Sequence, residues 1–99
     1  MCTYATTVLP VSGSGKGPDG WFTLRRAAVY LDHPVHAPAE HTLNIDLANP
    51  ELGAAARVAV ELDPAAARAL AEAILAALDS APPGLVEAPG PVEQPARAA

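Results

Sequence analysis

RVAVELDPAAARALAEAILAALD, residues 57–79, changes its apolar period partway along, and that change decides the fold class. Val58, Val60 and Leu62 alternate with Ala59 and Glu61, the two-residue period of a half-buried strand. From Pro64 the recurrence lengthens. Ala67, Leu70, Ala71, Ile74, Ala77 and Leu78 fall on one face, with Arg68, Glu72 and Asp79 opposite, the pattern of an amphipathic helix. Asp63 is suited to cap the free amides of a first turn, and Pro64 fits the first helical position, where a missing N–H costs nothing. Pro82 cannot continue the helix, so it is predicted over residues 64–79.

Working back toward the N-terminus, TLNIDL (residues 42–47) alternates in the same way as the strand at 57–62. WFTLRRAAVYL (residues 21–31) and residues 3–9 carry the β-branched and aromatic content of two more strands. VSGSGKGPDG (residues 11–20), rich in glycine, reads as a long mobile hairpin loop. In ANPELGAAA (residues 48–56), Asn49-Pro50 starts a turn and Gly53 can take positive φ. Short connections favour antiparallel neighbours. The predicted fold is α+β: a four-stranded, mainly antiparallel sheet in the order β-β-β-β-α, with one helix packed on one face. The other face is left to solvent or to a second subunit.

The 99 residues allow one domain, read as residues 1–80, followed by a disordered proline- and alanine-rich tail at 81–99. Such a domain lies near the lower limit of independent stability, which favours a homo-oligomer. The net charge of −5 and the lack of a basic run argue against nucleic acid as a partner. Arg68 and Glu72 interrupt the longest apolar stretch, so no membrane span is expected, and MCTYATTVLP lacks the pattern of a signal peptide. One cysteine cannot form an internal disulfide, which suits a reducing cytoplasm.

DHPVHAPAEH, residues 32–41, holds all three histidines of the chain. Neutral imidazoles suit transition metals, and three protein ligands with one open position is the usual layout of a catalytic zinc centre. The proposed topology brings His33, His36 and His41 to one rim of the sheet together with Cys2 and the positive end of the helix dipole. Loss of the initiator methionine would give Cys2 an α-amine beside its thiol, able to chelate or to act as a nucleophile. The metal candidates are therefore His33, His36, His41 and Cys2, binding a divalent transition metal, zinc or iron ahead of copper or nickel. Cys2, Glu40 and Asp46 are the catalytic candidates, as nucleophile, second-sphere acceptor or general base. The spacing H-x2-H-x4-H matches neither a zinc finger nor H-E-x-x-H. A hydrogen-bonded turn that happens to contain histidines is the competing reading.

GSGKG, residues 13–17, fails as a phosphate loop, since Pro10 and Gly17 stand where glycine and serine or threonine are required and a strand follows. Trp21, Phe22 and Tyr30 are expected in the core or at a subunit interface. Asn44, Asp46 and Glu61 are expected on a solvated sheet face.

MCTY, GSGKGPDGWF, VYLDHPVHAPAEHTLNIDLANP and ARVAVELDPAAARALAEAI together resemble a small family of uncharacterised actinobacterial proteins, over residues 1 to about 80. The resemblance implies a self-standing cytoplasmic unit and supplies no activity. The functional expectation is a small metal-binding protein, in its extended form an enzyme for a small polar substrate. The alternatives are a non-catalytic homo-oligomeric assembly module and metal-free catalysis by Cys2 with a histidine base.

Overall fold

The strand-to-helix switch occurs at Asp63. In the computed structural model, which describes residues 5–36 and 40–86, the chain runs β1 (Thr6–Gly17), β2 (Gly20–Asp32), β3 (Thr42–Ala48), a 3-10 turn (Pro50–Leu52), β4 (Arg57–Leu62) and α1 (Pro64–Asp79). Asp63 is extended, at φ −65° and ψ 156°, and its Oδ1 accepts the Ala66 amide at 2.8 Å. The helix starts and stops where its cap and the following prolines dictate. Past it, the Leu85 amide donates to the Pro82 carbonyl at 3.1 Å, while residues 87–99, most of the expected tail, lie outside the described residues.

The sheet is antiparallel throughout in the order β1-β2-β3-β4, so the α+β architecture holds. Register assigns the faces. Val29 pairs with Ile45, Leu31 with Leu43, Ile45 with Val60 and Leu43 with Leu62, all on one apolar face. Tyr30 pairs with Asn44 and Asn44 with Glu61 on the opposite, polar face.

Residues 11–20 are not a long loop. β1 and β2 stay paired to Gly17 and Gly20, leaving Pro18-Asp19 as a two-residue turn, with Gly20 at φ 113°. The glycines serve close approach instead of mobility. The distal hairpin bends over the connection between β3 and β4, and a Cβ added at Gly17 would stand 3.2 Å from the Ala55 carbonyl oxygen and 3.1 Å from the Phe22 ring. Asn49 fixes the crossing from below. Buried, it accepts the Glu51 amide at 3.1 Å and donates to the Thr23 carbonyl at 3.0 Å.

Leu24, Ala27 and Ala56 are the buried apolar residues among those described. They form a very small core. The helix lies beside the apolar sheet face without closing on it: a groove of about 730 Å³ separates Leu70 and Ile74 from Val29, Leu31, Leu43 and Ile45. No residue of α1 is buried, and Leu70, Ile74, Leu75 and Leu78 remain between 44% and 60% exposed. Trp21, at 71% exposed, is not part of this chain's core either. Among the described residues no helix is long and apolar enough to cross a membrane.

Candidate functional site

Antiparallel pairing brings several candidates to one rim. Asp32 ends β2 opposite Thr42 at the start of β3, and Leu43 pairs with Leu62 at the end of β4, so the 33–41 loop and Asp63 share that end of the sheet. β1 starts there too, with Thr6 opposite Tyr30. Cys2, upstream of it, lies outside the described residues.

The loop leaves β2 through a local cap, the His33 amide donating to Asp32 Oδ1 at 2.7 Å. His33 Nδ1 is 2.9 Å from the Glu40 carbonyl oxygen. A carbonyl can only accept, so Nδ1 carries the hydrogen and the neutral ring keeps its lone pair on Nε2. The His33 and His41 rings stack, with centroids 4.6 Å apart and planes at 27°. His36 is held by its backbone instead. Its amide donates to Glu61 Oε1 at 2.9 Å, and the Val35 amide donates to Oε2 of the same carboxylate at 2.6 Å.

One carboxylate on β4 therefore clamps the loop down over the polar face. Thr42 is fully buried beneath this region and donates from Oγ1 to Asn44 Oδ1 at 2.6 Å, so both side chains are satisfied away from water. The expectation of a solvated face is corrected here at Asn44, which is buried, while Glu61 keeps access to solvent and spends its carboxylate on the loop. The physical reason is that the loop folds back onto the face after a long excursion in sequence, which strand alternation does not register.

Further along β3 the polar face holds a second network. Tyr30 donates to Asp46 Oδ2 at 3.1 Å, and Arg57 meets Asp46 Oδ1 through Nε at 2.8 Å and through its terminal nitrogen at 2.6 Å. Burial, reinforced by the hydrogen bond and charge of Asp46, holds the Tyr30 phenol above its ordinary value. The phenol is thus a hydrogen-bond donor and not an incipient base. Asp46 lies four residues from Thr42 along the strand, about 13 Å at the rise of an extended chain. It serves Tyr30 and Arg57. Glu40 is exposed and gives the site its backbone carbonyl.

Of the predicted ligands, the structure brings together the rings of His33 and His41. Among the described residues no group of three or more histidine, cysteine, aspartate or glutamate side chains is placed to hold a metal. Sequence reasoning missed Glu61 as the loop anchor, and Tyr30 and Arg57 as partners of Asp46. The signal was cross-strand register: Tyr30 and Glu61 both pair with Asn44, so each lies on the face that the loop covers.

No curated protein and no solved structure matches the chain. A family model does, over residues 1–87, which carries the match past the helix and beyond the limit drawn at residue 80. By that match, taking in every strand, the helix and the histidine loop, the chain belongs to the Family of unknown function (DUF6295).

Proposed function

We propose that the chain is a non-catalytic homo-oligomeric assembly module, whose histidine loop is a hydrogen-bonded structural element. One observation carries this reading: α1 has no buried residue, although it presents an apolar stripe to an apolar sheet face. Full burial of a leucine or isoleucine contributes about 1.5–3 kcal/mol. Four such side chains, each about half exposed, leave roughly 3–6 kcal/mol unrealised per chain. That is comparable to the whole stability of a small domain, about 5–15 kcal/mol. A chain with three buried apolar residues among those described has little else to draw on, so association completes its core.

Sedimentation velocity of the full chain tests the reading. An oligomer is expected at about micromolar concentration, and a monomer across the whole range would sink it. The lone cysteine fits a reducing compartment, and we assign the module to the cytoplasm on that ground.

The paired imidazoles favour a second reading, in which His33, His36, His41 and Cys2 hold a divalent transition metal, zinc or iron ahead of copper or nickel. An imidazole donates in its own plane, so two rings stacked 4.6 Å apart must splay to share one ion. That requirement ranks the metal second. Metal analysis of protein purified without a histidine tag decides it: uptake near one equivalent supports it, and none after adding zinc, iron, copper or nickel removes it.

A further inference from the structure

One stripe of α1, three of whose four residues line the groove, is complementary to itself. Ala67, Ala71, Ile74 and Leu78 follow one line along α1, at the spacing that places side chains above one another. They are symmetric about the point between Glu72 and Ala73. An identical helix running antiparallel about a two-fold axis at that point sets Ala67 against Leu78 and Ala71 against Ile74, once on each side of the axis. Small residues against large ones let two helices approach closely and interdigitate without voids. In the same register Arg68 comes within about one turn of Asp79 of the second copy, on the same flank. Among the described residues neither side chain has an ion-pair partner.

We propose that α1 of a second copy occupies the groove in this antiparallel register, so that each sheet's apolar face is covered by the helix of the other copy. The proposal rests on the self-association reading and specifies where and how it occurs. The chain's own remaining segment is a poor occupant, because residues 87–99 carry three prolines and a single large aliphatic side chain, Val92. A strongly charged partner is disfavoured as well. Arg68 and Glu72 both line the groove, which gives its rim no net sign, whereas a two-fold pairing needs only self-complementarity.

A size-swap series on the full chain tests the register by sedimentation velocity. Ala71→Ile sets two large side chains against each other, and Ile74→Ala sets two small ones together. Each should weaken association by about a hundredfold. The double variant restores small against large and should return to within about tenfold of the wild type. A dimeric wild type with a double variant weaker than either single overturns the register and leaves self-association standing. A monomeric wild type overturns both. Because a single variant can fail to fold, cross-linking gives a second measurement. In a Cys2→Ser background, Ala71→Cys and Ile74→Cys chains refolded together should form a disulfide heterodimer far more readily than either forms a homodimer. Equal cross-linking in all three samples overturns the proposal.

Discussion

His33 lies on His41, ring on ring, with 4.6 Å between centroids. The contact spans the whole loop, because these residues flank it on either side, and the Glu40 carbonyl fixes the orientation of the His33 ring. Together with Glu61, which grips Val35 and His36 from β4, it holds the described part of the loop against the polar face that carries Thr42 and Asn44.

Removing the lower ring should loosen the cover without disturbing the sheet. His41→Ala is expected to cost about 0.5–1.5 kcal/mol, the range of an aromatic pair, with an unchanged far-ultraviolet circular dichroism spectrum. On the metal reading the same variant also loses zinc or iron uptake. Full uptake in it removes His41 as a ligand.

Glu61→Ala releases two amides at once. Both hydrogen bonds are charge-assisted but open to solvent, so about 1–2 kcal/mol is expected in total. Amide hydrogen exchange should show Val35 and His36 losing protection while β3 retains it. Unchanged protection at both amides would show that the clamp does not exist in solution.

The Tyr30 network makes stability depend on alkaline pH with a definite sign. Burial first, and then Asp46, raises the phenol above its ordinary value of 10.0, so the fold favours the neutral ring. Its contribution is fully present below pH of about 10 and is lost as pH rises through the higher, folded value. Denaturant titrations at neutral pH and near pH 11 should show the wild type losing more stability than Tyr30→Phe across that window. Equal losses would dissociate the phenol from the effect.

Where local chemistry alone decides structure, the sequence was a sufficient guide. Asp63-Pro64 set the start of α1, and the alternation of Leu43, Ile45 and Leu47, and of Val58, Val60 and Leu62, set β3 and β4. Long-range contact decided the rest. Gly15 and Gly17 resemble loop glycines until the bend that carries them to β4 is known. Glu61 resembles a solvated strand residue until the loop returns to it. For the site, the sequence located the rim that the histidines share, but not the stacking of His33 on His41, and alternation could not reveal which polar side chains the loop would cover.

The glycines of the hairpin should respond unequally to one added methyl group. Gly17→Ala meets a backbone carbonyl that cannot move cheaply, and about 1–3 kcal/mol of destabilisation is expected. Gly13→Ala meets nothing within 4 Å and should be neutral, or stabilising by about 0.4–1 kcal/mol through the unfolded chain. Thermal melts of the two variants side by side check the contrast. Similar melting points would mean that the arm does not cross β4 in solution.

The interruption of pairing between Pro10 and Gly13 bears on how copies of the chain meet. β1 is an outer strand of an open sheet, twelve residues long, and such an edge recruits further strands and seeds fibrous aggregates. Pro10 has no amide hydrogen to offer, and the irregularity that follows throws the next residues out of step with any incoming strand. Growth by adding strand to strand is therefore blocked along this border, and crowding of the chain should yield closed, countable assemblies instead of fibrils.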